Sequence, residues 1–107
     1  MNAFSHEMIS AVTAALDAAD GAGAIVLTGN QKAFSAGFDL SIMGTAPSPE
    51  AAELLNAGGE MLLKMMALPK PLIMAAPGHA LALGAIVLLA GDVRIGARNE
   101  KAKIGTN

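Results

Sequence analysis

Cysteine, tryptophan and tyrosine are absent from the 107 residues, and three phenylalanines hold the aromatic content to 3%. Without cysteine there is no disulfide and no thiolate chemistry, and the two histidines are the only nitrogen candidates for a metal, so no metal site is expected. So few aromatics leave Ala, Leu, Ile, Val and Met to build the core. Charge is scarce as well: charged residues make up 15%, the formal net charge is -2, and there is no long basic run. That supplies no electrostatic footprint for nucleic acid or an anionic membrane surface. The first residues include Asn2, His6 and Glu7 and no basic region followed by an apolar run, so no signal peptide is expected and the cytoplasm is the default location.

What the chain does have is apolar mass, 53% of its residues, which rules out intrinsic disorder. Its length suits one domain at most, expected over 1–107. Pro71 to Gly91 is almost uncharged and close to the roughly 20 residues that span a bilayer. Pro77-Gly78-His79 breaks it near the middle, and Pro69, Pro71 and Gly91 punctuate its sides. It is therefore read as buried core, not as a membrane segment.

The periodicity predicts α/β alternation. Ser5 suits a helix N-cap, followed by Met8, Val12, Ala15, Leu16 and Ala19 at helical spacing until Gly21. Ala24 to Thr28, bounded by glycines, reads as a strand covered on both faces, with a loop from Gly29 to Gly37 and a short turn over Asp39 to Met43. Thr45 to Pro49 reads as a connector, with Ser48 and Pro49 as the cap and first position of a second helix ending before Pro69. Its apolar stripe is Leu54, Leu55, Met61, Leu62, Met65 and Met66, weakened by Gly58-Gly59. Leu72 to Ala76 reads as a buried strand, Gly84 to Ala90 as a buried helix and Val93 to Ile95 as a third strand. No repeat of fixed period is visible, and Lys101 to Asn107 stops without a terminating element, as if cut.

Two glycine-containing turns each follow an expected strand: Phe34-Ser35-Ala36-Gly37-Phe38-Asp39 and Gly78-His79-Ala80-Leu81-Ala82-Leu83-Gly84. Small residues let a backbone approach a ligand closely, and amide N–H groups there point outward. Two such amides meeting at one carbonyl form an oxyanion hole, worth about 3 to 4 kcal/mol of barrier per donor. Either turn alone is more often just a turn, and neither has the spacing and partners of a dinucleotide or phosphate loop.

Taken together these residues resemble the crotonase superfamily, the enoyl-CoA hydratase/isomerase family. The likeness runs through Asn2-Ala3-Phe4-Ser5, Ala24 to Gly29, Lys32 to Asp39, Lys70 to Leu81 and Gly91 to Ile95, in the family's order. It implies a partial crotonase-type (ClpP/crotonase-like) ββα superhelix that lacks the N-terminal strand and the C-terminal half. It further implies an acyl-CoA substrate, coenzyme A being part of that substrate with no separate cofactor, and a homo-oligomer, trimer or hexamer. By position, the backbone N–H groups of Phe38 and Leu83 correspond to the family's oxyanion hole, the backbone near Ala36 lines the coenzyme A groove, and Gly37 and Gly84 shape it.

The chain also departs from the family. Ile86 stands where a hydratase carries its first glutamate, and the second would fall just after Asn107. Ala82-Leu83-Gly84 replaces a three-glycine turn. The residues alone therefore imply poor catalysis, and the alternative is a non-catalytic acyl-CoA-binding or assembly module. Asp39 is expected to cap the helix after its turn more readily than to act as a base; His79 is expected to be a hydrogen-bonded turn residue, and His6 a surface residue.

Overall fold

In a computed structural model, residues 1–44, 47–98 and 100–106 are described. The expected connector therefore lies partly outside them, at Thr45 and Ala46, as does Asn107. Helix α1 (His6–Ala18) starts where Ser5 Oγ accepts from the Met8 amide at 3.1 Å, which satisfies one of the amides a helix start leaves unpaired. Of the expected stripe, Leu16 is buried and Met8 and Val12 pack against the core, Ile9 joins them as a second buried residue, and Ala15 is exposed. The Lys70 ammonium closes its far end, donating to the carbonyls of Ala19 (2.9 Å) and Asp20 (2.6 Å).

Strands β1 (Ile25–Thr28) and β2 (Ala33–Ser35) follow, then the single-turn helix α2 (Leu40–Met43) and the long helix α3 (Pro49–Met66). Ser48 Oγ caps α3 by accepting from Ala51 N at 3.1 Å, with Pro49 in the first turn, as the sequence predicts. Its buried face is Ala51, Leu54, Gly58, Met61 and Met65. Leu55 and Met66, expected in the stripe, are exposed. Strands β3 (Leu72–Ala76) and β4 (His79–Leu81), helix α4 (Leu83–Leu89), and strands β5 (Val93–Gly96) and β6 (Ile104–Gly105) complete the order.

Among the described residues all strand pairings are parallel and form two sheets, β1-β3-β5 and β2-β4-β6. Each successive strand pair gives one member to either sheet, and helices follow the first two pairs. This is a partial ββα superhelix of the crotonase type. The strand-strand-helix repeat escapes a search for a fixed sequence period because its units differ in length: β1 pairs with β3 from Ile25 to Leu72, whereas β3 pairs with β5 from Ile73 to Val93. Strands β2, β4 and β6 occupy segments read as a loop, a turn and an unstructured end, since two or three residues are too few to display an alternation.

The core gathers Ile9 and Leu16 of α1, Leu54, Met61 and Met65 of α3, and Val87 and Leu88 of α4 over Leu72, Met74 and Ala76 of β3. Leu72, Met74 and Ala76 alternate with half-buried residues along β3, so one face of that strand carries its fully buried side chains. The expectation that β1 is covered on both faces is corrected: its burial alternates, and Val26 is 62% exposed. Likewise α4 is buried on one side only, with Ile86 and Leu89 outward. Pro71 to Gly91 forms β3, β4 and α4, and no helix among the described residues is long and apolar enough to cross a membrane. Leu54→Ala, at a side chain with no exposure, is expected to cost about 2 to 5 kcal/mol. Leu55→Ala, at the exposed neighbouring position, should cost under about 1 kcal/mol, the two being compared by denaturant midpoint at constant slope.

Candidate functional site

The first turn leaves β2 at Ser35, a polar side chain only 1% exposed. Its hydroxyl donates to the Asn2 carbonyl (2.8 Å) and accepts from the Gly37 amide (3.1 Å), so both capacities of the buried oxygen are used. The N-terminal segment runs alongside. Ala36 N donates to Met1 O (3.0 Å), Phe4 N to Gly37 O (2.7 Å) and Asp39 N to Phe4 O (2.9 Å), a one-residue parallel bridge between Phe4 and Phe38. The Asn2 side-chain amide, on a left-handed residue (φ 52°), donates to the carbonyls of Ala33 and Phe34 at 3.1 and 3.2 Å. Asn2 and Ser35 thus hold the turn, and sequence reasoning missed both in that role; the only signal was the Asn2 to Ser5 block of the family likeness.

The second turn leaves β4 at Leu81. Ala82 N donates to Gly105 O and Ala80 N to Lys103 O, both at 2.9 Å, so β6 supports the turn from beside it. Ala82 has φ 52° and ψ -122°, a conformation L-residues rarely hold, and its carbonyl accepts from Ala85 N (3.0 Å) and Ile86 N (3.2 Å) to open α4. Leu83 is 7% exposed, and the next residue explains the tight approach of α4 to β2: a Cβ at Gly84 would lie 2.2 Å from the Ser35 carbonyl oxygen.

The two turns are neighbours. Gly37 is buried at φ 100°, and a Cβ built on it would fall 3.0 Å from the Ala82 methyl and 3.2 Å from both Leu81 O and Leu83 N. A side chain there would enter the space between Gly37 and the start of α4. Among the described residues, neither Phe38 N nor Leu83 N donates to a backbone or side-chain acceptor, whereas the Ala36, Gly37 and Asp39 amides do. Ala36 and Phe38 are half-buried beside this point. The structure therefore brings Ala36, Gly37, Phe38, Leu83 and Gly84 into one region, with Gly84 turned into the packing against Ser35.

Other candidates resolve into structural duties. Asp39 Oδ1 accepts from Ser41 Oγ (2.6 Å) and Ser41 N (2.9 Å), capping α2; these hydrogen bonds, the side-chain one first, hold its carboxyl below the ordinary carboxylate value. His79 Nδ1 accepts from Lys103 N at 2.9 Å, which ties β4 to the segment before β6. His6 is exposed. Ile86 is 42% exposed and offers no proton-transfer group. Among the described residues no three His, Asp or Glu side chains gather. A cavity of about 330 Å³ lies between α1 and β1, walled by Phe4, Met8, Val12, Leu27 and Ser35 among others, but its lining includes neither Phe38 nor Leu83. None of its lining residues is an Asp, Glu, His, Lys or Arg.

Residues 1–107 match the family model for enoyl-CoA hydratase/isomerase. A probable enoyl-CoA hydratase of Mycobacterium avium is 34% identical over 103 residues, which is 94% of this chain and 40% of that protein. Among solved structures, an enoyl-CoA hydratase of Mycobacterium ulcerans superposes with a TM-score of 0.83 at 38% identity, over 88% of this chain and 42% of that one. An enoyl-CoA isomerase of Mycobacterium tuberculosis gives 0.81 at 43% identity, over 87% and 41%. The chain spans about 40% of the length of the curated relatives it matches.

Two changes test the turns. Ala82→Gly at this exposed position should raise stability by about 1 kcal/mol, the left-handed strain relieved less the greater freedom of an unfolded glycine, as read from the denaturant midpoint. Because the Asp39 carboxyl is depressed in the folded chain, its contribution is complete above the ordinary value of 3.8 and is lost as pH falls through the lower folded value. Asp39→Ser keeps a capping oxygen without the charge and should flatten the acid limb of the stability curve in an unfolding series taken down from neutral pH.

Proposed function

The chain belongs to the enoyl-CoA hydratase/isomerase family, and from that premise we propose that it binds an acyl-CoA thioester whose carbonyl oxygen accepts from the amides of Phe38 and Leu83. The observation that carries this reading is the seating of Gly37 against Leu83 N, with the Phe38 and Leu83 amides left without an acceptor among the described residues. An amide pair fixed before the ligand arrives stabilises an enolate-like oxygen without reorganisation, because the Ser35 and Phe4 hydrogen bonds already hold the turn. Gly37 keeps the approach to the oxygen open, Ala36 borders the coenzyme A groove, and Gly84 shapes it by holding α4 against β2.

The reaction we favour is hydration or isomerisation of an enoyl-CoA, by likeness to relatives of whose length this chain spans about 40%. Ile86 transfers no proton, so the general acid or base has to come from outside these residues. A second reading, a non-catalytic acyl-CoA-binding or assembly module, is favoured by the same Ile86. The residue following Asn107 in a longer form separates them: a glutamate supports an enzyme with a single acid, an apolar residue supports binding alone. A homo-oligomer, trimer or hexamer, fits the exposed apolar side chains of Val26, Leu89, Val93 and Ile95. A cytoplasmic location accords with a chain that has no disulfide-forming residue.

A short-chain acyl-CoA at about a hundred times its dissociation constant should stabilise the chain by about 2.7 kcal/mol, seen as a raised thermal midpoint that free coenzyme A reproduces only in part. No shift with any acyl-CoA refutes the binding role. The 107 residues alone should not hydrate crotonyl-CoA, and a measurable rate would refute the assignment of the acid-base group to residues outside them.

A further inference from the structure

The helix weakening at Gly58-Gly59 is not one feature but two. Each glycine costs about 1 kcal/mol relative to alanine inside a helix. Gly59 has open space where its side chain would be. Gly58 lies on the buried face of α3, between Leu54 and Met61, where the pattern calls for a large apolar side chain. A Cβ there would lie 2.8 Å from Phe38 Cζ, 2.9 Å from Phe38 Cε1 and 3.7 Å from Leu83 Cδ2. The side chains of Phe38 and Leu83 therefore converge on a single point of α3.

We infer that Gly58 is a positioning residue: by leaving a seat for the Phe38 ring beside the Leu83 side chain, it makes α3 the template that sets how the two amides are oriented. The inference rests on the reading of those amides as ligand donors. The backbone on either side of Phe38 is tied, by Gly37 O accepting from Phe4 N and by Asp39 N donating to Phe4 O. A ring driven from its seat is thus left to swing about its own side-chain bonds or to drag the turn with it. The inference is that the turn moves, since carbon atoms forced inside the usual 3.5 to 4.0 Å separation of about one van der Waals contact have to give way. Displacements of about 1 Å at a site cost up to about a hundredfold in function.

The experiment uses the 107-residue chain with Gly58→Ala, Gly59→Ala, Phe38→Leu and the Gly58→Ala/Phe38→Leu pair. The orientations of the Phe38 and Leu83 N–H vectors are measured by residual dipolar couplings, and affinity for butyryl-CoA by calorimetry. Gly58→Ala should reorient both vectors and weaken binding about tenfold, the size of one misaligned hydrogen bond. Gly59→Ala should do neither. Phe38→Leu alone should also weaken binding by emptying the seat, and the pair should recover most of the loss, because the new methyl fills the space the ring tip vacates.

Unmoved vectors in Gly58→Ala overturn the inference, and so do reoriented vectors with unchanged affinity. If Gly58→Ala does not fold, the decision passes to Phe38→Leu and the pair, where absence of recovery overturns it. Failure of the parent chain itself to bind butyryl-CoA is a different result: it sinks the ligand role of the amides, and this inference with it.

Discussion

The buried hydroxyl of Ser35 joins parts of the chain that are far apart in sequence. It donates to Asn2 at the N-terminus, accepts from Gly37 in the first turn, and belongs to the residue whose carbonyl leaves no room for a side chain at Gly84. A polar atom this deep is stable only with partners, and its partners are the segments that have to be held relative to one another. The bridge between Phe4 and Phe38 and the start of α4 take their places from this contact. The adjacency of the two turns then follows, with no charged residue required at their meeting point.

The large elements were legible because their signals are local. Ser5 and Ser48 announce helices by capping chemistry, and the apolar run of β3 is long enough to stand out. The short strands were not legible, since β2, β4 and β6 are defined by parallel partners supplied elsewhere in the chain. The two-sided cover expected for β1 failed for a related reason: an apolar run reports what a strand tolerates on its faces, not what is present to cover them. As for the site, the two turns could be picked out, and their side-by-side placement was implied only by the family likeness. Ser35, Asn2 and Gly58 act through distant partners and look in the sequence like a turn serine, a terminal asparagine and a weak spot in a helix.

Membership of the enoyl-CoA hydratase/isomerase family sits beside a local chemistry that differs from the family's usual pattern. The left-handed residue opening the second turn is Ala82 rather than glycine, the amide that follows belongs to a leucine with a buried side chain, and one helical turn later stands Ile86. Each change replaces a small or ionisable group by an apolar one while leaving the main-chain path intact. The backbone frame and the proton-transfer groups are thus separable: hydrogen bonds of the main chain maintain the first, and single side chains carry the second.

The pairing of Ile25 with Leu72 also bears on how the molecule is made. Parallel strands cannot be joined by a tight hairpin, so β1 leaves the ribosome without its neighbour and waits while α3 is synthesised. Local helices therefore form first, and the sheet closes only when β3 arrives to serve β1 and then β5. During that interval Ile25 and Leu27, the β1 residues that the folded chain half-buries, face water, and the speed of elongation sets how long they do so.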